Sequence, residues 1–174
     1  MKVKVVPHDP EWRAAYDREA DAISAALGDC PVTLHHIGST SIPDILAKPI
    51  IDILGEAADL SLIDARTPAF AGLGYQAKGE FGIAGRRYFK KDNAQGVRTH
   101  HIHFFQTGSP GAERHLAFRD YLRAYPEIAA EYSALKAEIT RGGVNIDDYM
   151  DAKDPFIKRT ERQAIDWFRA KRRG

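Results

Sequence analysis

The sequence predicts an α+β protein in which a mixed β-sheet with flanking helices is followed by a helical C-terminal third. Two observations favour this class. Up to about residue 108, short apolar runs alternate with turn residues, and from residue 112 onward the apolar spacing becomes helical. A chain of 174 residues, 44% of them hydrophobic, is large enough for one core. We therefore expect a single domain over 1–174, with a sheet-containing part at about 1–108 and a helical part at about 111–174.

The first half of the chain carries alternating strand and helix signals. The valines of KVKVV indicate a short strand, and Asp9-Pro10 is typical of a helix start. Gly28 is typical of the end of that helix. The patterns predict a helix over 11–27, strands over 32–37 and 49–54, and helical structure over 60–73, within which Pro68 can begin a second piece.

The second half begins with two strands and continues with helices. Strands are expected over 86–91 and 99–106, joined by a turn at 92–96 with the sequence DNAQG. Helices are expected over 112–124, from Pro126 to a break at Gly142-Gly143, and from about Pro155 to Lys171.

Composition excludes several classes of protein. The chain has 25 basic and 24 acidic residues, and a net charge of +1 does not favour general nucleic-acid binding. A single cysteine, Cys30, excludes an internal disulfide framework and a cysteine-rich metal site. The sequence has no long apolar run and no apolar signal core near Met1, so we expect a cytoplasmic protein that does not span a membrane.

The strongest local signal for chemistry is a strand that ends at Gly38-Ser39-Thr40, followed by Lys48 and then by Asp52 within an apolar strand. A Gly-Ser turn lets the backbone approach a phosphate closely. A carboxylate inside an apolar run needs a partner, and Mg²⁺ bridging nucleotide phosphates is one such partner. The alternative is structural, because a Gly-Ser-Thr turn can cap a helix and Asp52 can pair with Lys48 or with an arginine.

Histidines and arginines on the later strands give further candidates. His101 and His103 are two residues apart, so both point to one face of a strand, and with His36 they suggest a metal or acid–base site. A polar sheet face that binds water is the alternative. Arg86 and Arg87 alternate across a strand, so one of them can bind phosphate while the other faces away. An edge strand charged against aggregation explains both arginines equally well.

Several segments taken together identify a family. The stretch HIGSTSIPDILAKPIIDIL resembles the signature of the GrpB-like family, which has the nucleotidyltransferase fold and also occurs fused to dephospho-coenzyme A kinases. The resemblance covers nearly the whole chain in order and continues through GRRYF (85–89), HHIHFF (100–105), HLAFRDYLRAYPE (115–127), YSALK (132–136) and YMDAKDPFI (149–157).

The resemblance implies an active site and also shows a departure from it. Active members of the superfamily pair a Gly-Ser turn with two acids one residue apart and a third acid on a later strand. Here Asp52 matches the first acid, Leu54 stands where the second is expected, and His101 and His103 occupy the later strand. Glu56 and Glu80 are possible substitutes that no motif supports.

The candidate site residues follow from both arguments. Asp52 and His103 are the catalytic candidates, and Asp52 is the metal ligand, with Mg²⁺ as the expected cofactor. The candidate contacts to substrate or phosphate are His36, Gly38, Ser39, Thr40, Lys48, Arg86, Arg87, Arg119, Lys136 and Lys153. An ion pair or a solvated helix face is the alternative for Arg119, Lys136 and Lys153.

Three functions remain open from the sequence. The first is a nucleotidyltransferase-like enzyme that binds a nucleotide or phosphorylated small molecule at the GST turn and Asp52, where an acceptor attacks the α-phosphate. The second is a non-catalytic phosphate-binding module on a degenerate transferase fold. The third is a metal-dependent phosphate hydrolase that uses His36, His101 and His103. None of these needs a membrane or general nucleic-acid binding.

Overall fold

The computed structural model describes residues 2–174, which form one mixed five-stranded sheet, six α-helices and a short 3₁₀ helix at Ser39–Ser41. The strands are β1 (Val32–Ile37), β2 (Ile51–Ala57), β3 (Tyr75–Ala77), β4 (Arg87–Asp92) and β5 (Arg98–Gln106). The helices are α1 (Glu11–Leu27), α2 (Leu60–Asp64), α3 (Thr67–Gly72), α4 (Pro110–Ala124), α5 (Pro126–Thr140) and α6 (Ile146–Arg173). This architecture confirms the predicted α+β class.

The sheet order is β1-β2-β5-β4-β3, in which β2 and β5 are parallel and the other neighbours are antiparallel. The register places Asp52 beside Ile37 on one side and His101 on the other. Two residues further along β5, His103 lies between Leu54 and Tyr88. Because residues in register share a face, Asp52, His101 and His103 project from the same side of the sheet.

The two faces of the sheet are covered differently. Helices α1 and α3 pack on the face opposite Asp52, in the main core with Ile53, Ile102 and Phe104. On the Asp52 face, α4 covers Leu54 and Phe105 through Ala112. A third cluster joins the segment after β1 to α4, α5 and α6 and contains Ile42, Ile45, Leu122, Ala129, Tyr132 and Phe156. These helices leave the end of β1 and the middle of β5 facing a cavity.

Most predicted elements are confirmed, and two have the predicted bounds, namely α1 and β1. Helix α1 begins at Glu11 with Pro10 at the N-cap position, one residue later than the N-cap that Asp9-Pro10 predicted, and Asp9 Oδ1 accepts a hydrogen bond of 2.9 Å from the Glu11 amide. The helical stretch after β2 is split at Pro68, which lies in the first turn of α3. Strand β2 lies slightly later than predicted, at Ile51–Ala57.

Three predictions were wrong or incomplete. The N-terminal valines form only an isolated bridge between Val6 and Ala47 rather than a strand. Strand β3 was missed because it has only three residues. The last helix begins at Ile146, well before Pro155, because the Asn145 side chain accepts a hydrogen bond of 2.8 Å from the Asp148 amide and caps it. Pro155 therefore lies inside α6.

Within residues 2–174, every helix is too short or too polar to cross a lipid bilayer.

Candidate functional site

A cavity of about 500 Å³ opens between the Asp52 face of the sheet and helices α4, α5 and α6. The turn after β1 forms one wall, and the loop before β4 forms the opposite wall. The polar and aromatic side chains and turn residues around it are Gly38, Ser39, Thr40, Lys48, Asp52, Phe81, Arg86, Tyr88, His101, His103, His115, Phe118, Tyr132, Lys136, Tyr149 and Lys153.

Glycine is required at position 38 for two reasons. Its φ of 73° lies in the left-handed region, which side chains with a Cβ rarely adopt. A Cβ at this position would also lie 2.6 Å from Asp52 Oδ2. Gly38 therefore allows the turn and the carboxylate to approach each other, and the turn is closed by the Ser41 amide, which donates to the Gly38 carbonyl at 3.0 Å.

Asp52 lies between two imidazoles. Its Oδ1 is 3.1 Å from His101 Nδ1 and 3.5 Å from His103 Nε2, and its side chain is 28% exposed. Burial by itself would raise the pKa of Asp52, but the hydrogen bonds from His101 and His103 outweigh burial. The net effect holds the pKa well below the usual range, so Asp52 is an anion at neutral pH.

Each of these imidazoles also contacts an arginine. Arg98 Nη1 lies 3.1 Å from His101 Nε2, and Arg86 Nη1 lies 3.4 Å from His103 Nδ1. Arg86 is buried and is held by two carbonyls, because it also donates to Phe81 O at 2.8 Å and to Glu80 O at 3.2 Å. The loop before β4 therefore fixes Arg86 at the wall of the cavity.

Lys136 reaches the turn from α5. It is 1% exposed, and its Nζ donates to Ser39 Oγ and, at 2.9 Å, to the carbonyl of Leu46. The same Nζ lies 4.0 Å from the centre of the Tyr132 ring. Burial, together with repulsion from Lys153 and Lys48, lowers the pKa of Lys136 to about 6.

Two further lysines face the same space. Lys153 lies 4.4 Å from the centre of the Tyr149 ring, and burial followed by repulsion from Lys48 lowers its pKa to about 8. Burial also lowers the pKa of Lys48. In the part of the chain that the structure describes, none of these lysines forms a salt bridge with a carboxylate. Four basic groups thus share the cavity with one carboxylate, an imbalance that suits an anionic ligand.

The structure brings most of the sequence candidates together but not all of them. Lining the cavity are Gly38, Ser39, Thr40, Lys48, Asp52, Arg86, His103, Lys136 and Lys153. Outside it lie His36, Arg87 and Arg119.

The three outlying residues have local partners. His36 projects from the opposite face of the sheet, where it stacks on Tyr16 and lies 2.9 Å from Thr40 Oγ1. Arg87 also points to that opposite face and pairs with Asp64 at 2.7 Å. Arg119 donates to the His36 carbonyl at 3.2 Å. The expected histidine-rich site with His36 therefore does not form.

Neither proposed substitute acid reaches Asp52. Glu56 pairs with His35 at 2.8 Å, and Glu80 accepts from the Gly85 amide at 2.6 Å. Leu54, at the position of the second acid, is fully buried. Asp52, His101 and His103 nevertheless each offer one metal-ligating atom, and these atoms lie within 4.8 Å of one another.

Sequence reasoning missed several cavity residues. His115 on α4 stacks on His103 with a centroid distance of 5.4 Å, and burial lowers its pKa to about 3. Tyr132 and Tyr149 lie beneath the lysines, and their places in YSALK and YMDAK could have suggested them. Phe81, which is 62% exposed at the rim, lies in an irregular loop with no recognisable period.

This chain is similar in sequence to members of a known protein family. Residues 2–163 match the family described as GrpB protein. The UPF0157 protein YqkA of Bacillus subtilis is 42% identical over 95% of this chain, which spans about half (48%) of that relative's length. A protein named dephospho-CoA kinase from Mycolicibacterium paratuberculosis is 30% identical over 95% of this chain, and the match covers 46% of that protein.

Solved structures extend the comparison to the fold. The crystal structure of the conserved protein GrpB from Enterococcus faecalis superposes with a TM-score of 0.89 at 40% identity, covering 95% of this chain and 99% of that one. The structure of Cid1 with the UTP analogue UMPNPP gives a TM-score of 0.53 at 11% identity, covering 78% of this chain and 43% of Cid1. The second likeness concerns the fold alone.

Proposed function

Because this chain belongs to the GrpB family and has a nucleotidyltransferase-like fold, we propose that it binds a nucleotide or another small phosphorylated molecule in the cavity beside the Gly38-Ser39 turn and Asp52. The convergence of Lys48, Arg86, Lys136 and Lys153 on a cavity with one carboxylate is the observation that supports this most strongly. A phosphate entering this cavity offers the negative charge that the four basic groups lack.

Different residues around the cavity would contact different parts of the ligand. Ser39 and Lys136 are already hydrogen-bonded to each other, so a phosphate beside this pair meets a hydroxyl and a buried amino group that takes up a proton when the anion binds. Arg86 presents a guanidinium from the opposite wall. Phe81 and Met150, which are 62% and 47% exposed at the rim, offer apolar surface to a nucleobase or another apolar group of the ligand.

The expected Mg²⁺ does not fit the residues around Asp52. Mg²⁺ favours six oxygen ligands, whereas this cluster offers one carboxylate and two imidazole nitrogens. Leu54 removes the second carboxylate that two-metal phosphoryl transfer requires. The proposed function therefore includes no catalytic step through Mg²⁺.

A second candidate function is a non-catalytic binding module on the transferase fold. The buried Leu54 favours it, because the cavity keeps its phosphate-binding groups and lacks the paired acids. In such a module the ligand would be bound and released unchanged. The transferase alternative requires Asp52 or His103 to act on the reacting groups, and it predicts turnover of a nucleoside triphosphate with an acceptor.

Calorimetry with inorganic phosphate, pyrophosphate and ATP tests the proposed function. We expect at least one of these anions to bind, and Lys153→Met to weaken that binding at least tenfold. Lys158→Met is the matched control, because Lys158 lies on the same helix but is exposed and pairs with Asp154. Absence of binding for all three anions, or equal losses in both variants, would refute the proposal. Product analysis after incubation with ATP separates the enzyme from the binding module.

A further inference from the structure

We propose that this cavity binds its anion without a metal ion, because Asp52 and both imidazoles are committed to a chain of polar contacts that runs Arg98–His101–Asp52–His103–Arg86, in which the Asp52–His103 contact is the longest at 3.5 Å. This inference rests on the proposed function for the identity of the anion, but the arrangement of the chain is independent of it.

The Arg98 side fixes the proton position on His101. A guanidinium has only donors, so the Nε2 atom of His101, 3.1 Å from Arg98 Nη1, must accept with its lone pair. In a neutral imidazole the other nitrogen then carries the hydrogen. Nδ1 of His101 therefore donates to Asp52 Oδ1, at 3.1 Å.

The Arg86 side fixes His103 in the opposite tautomer by the same logic. Arg86 Nη1 lies 3.4 Å from His103 Nδ1, which must accept. Nε2 of His103 then carries the hydrogen and points at Asp52 Oδ1, at 3.5 Å. The two rings thus direct their N–H groups at one carboxylate oxygen.

A metal ion at this cluster would require both tautomers to be reversed. A ligating imidazole nitrogen must offer its lone pair, and its other nitrogen then usually carries the hydrogen and donates to an acceptor. Here that second nitrogen would face a guanidinium N–H, which is a contact between two donors. Arg86 cannot easily withdraw, because it is 8% exposed and also donates to two backbone carbonyls.

The protein supplies elsewhere the positive charge that a metal would bring. Lys48, Lys136 and Lys153 face the cavity with Arg86 and have no carboxylate partner among residues 2–174. Asp52, held by two N–H groups, is a positioning residue that orients the imidazoles under the ligand. The cavity therefore has the charge needed for a phosphate and lacks a free set of metal ligands.

Two measurements on the full chain test this inference. The first is calorimetric titration with inorganic phosphate in the presence of EDTA and, separately, with Mg²⁺, Mn²⁺ or Zn²⁺. We expect affinities within twofold of one another. Tenfold tighter binding with any of these ions would overturn the inference. The second is nitrogen-15 NMR of the imidazoles, in which we expect the hydrogen on Nδ1 of His101 and on Nε2 of His103. The reverse tautomers would overturn it.

A variant that is expected to gain metal binding provides the sharpest test. Arg98→Met removes the donor that faces His101, so the ring becomes free to present Nδ1 to a metal. We expect its affinity for Zn²⁺ to rise at least tenfold over the parent chain, and Arg87→Met, which faces away from the cluster, to leave it unchanged. If the parent chain already binds Zn²⁺ as tightly as Arg98→Met, the inference fails. If phosphate binds under no condition, the proposed function fails. The imidazole tautomers measured by NMR then still test whether the Asp52 cluster is unsuited to a metal ion.

Discussion

Lys136 donates a hydrogen bond to Ser39 Oγ, although the two residues are 97 positions apart in the chain. The contact joins α5 to the turn after β1 and buries an amino group among two other lysines and two tyrosine rings. Burying such a group without a carboxylate is unfavourable for stability, and the anion binding proposed above would compensate this cost.

The free energy of unfolding should rise with pH between about 6 and 10. The folded pKa of Lys136 is about 6 and its ordinary value is 10.5, so over this interval the unfolded chain binds more protons than the folded chain. The destabilisation is complete below the folded pKa and disappears as the pH rises towards the unfolded one. Urea unfolding should show a slope of at most about 1.4 kcal/mol per pH unit for this proton. Lys136→Met should flatten the slope, and an unchanged slope would contradict the assignment.

Binding of phosphate near pH 7.5 should take up protons. A bound anion favours the charged forms of Lys136 and Lys153, whose pKa values in the free protein are about 6 and about 8. Titration in buffers of different ionisation enthalpy measures this uptake directly. We expect a positive uptake that becomes smaller below pH 6, where Lys136 is already charged. Identical heats in all buffers at pH 7.5 would show that the lysines do not meet the anion.

The adjacent arginines should behave oppositely on substitution. Arg86→Met removes a guanidinium from the cavity wall and should weaken phosphate binding at least tenfold. Arg87→Met should leave affinity within twofold, because Arg87 lies on the other face and pairs with Asp64. It should cost stability only by about 0–1 kcal/mol, as exposed ion pairs do. Titration calorimetry and urea unfolding of both variants would test which arginine faces the cavity. A larger loss of phosphate affinity in Arg87→Met than in Arg86→Met would contradict the assignment of Arg86.

Gly38→Ala should destabilise the protein and disturb Asp52. The new Cβ would lie 2.6 Å from Asp52 Oδ2 in a backbone with φ of 73°, so we expect a loss of about 2–4 kcal/mol from steric overlap and backbone strain together. Gly96→Ala is the matched control, because Gly96 has φ of 77° and open space around its Cα. Urea unfolding should show the larger loss at position 38. Equal losses would mean that the carboxylate does not press on the turn.

Local sequence patterns were sufficient for the elements that frame the cavity. The helical period predicted the bounds of α1, and the apolar runs predicted the bounds of β1. The same runs predicted β2 and β5 with bounds that differ by a few residues. The alternation of side chains along β5 also placed His101 and His103 on one face, as the register shows. These predictions worked because a 3.6-residue or two-residue period is a property of a single segment.

The outcome for His36 shows where local reasoning fails. Its place beside the GST turn suggested a ligand contact. The side chain of His36 instead projects from the face of the sheet that α1 covers, where it stacks on Tyr16, and the backbone turns only afterwards, at Gly38. The choice between Arg86 and Arg87 was open for a related reason. The alternation of side chains along a strand places Arg86 and Arg87 on opposite faces of the sheet. It does not show which of these faces borders the cavity.

The sequence by itself determined the family, the order of the elements, and the pairing of a Gly-Ser turn with Asp52. Only the tertiary structure decided that Lys136 reaches that turn, that Lys153, His115 and the tyrosines line the same cavity, and that two arginines contact the imidazoles beside Asp52. The physical reason is distance along the chain. Side chains from α4, α5 and α6 meet the sheet only through packing of the apolar clusters between them, and no local period encodes that packing.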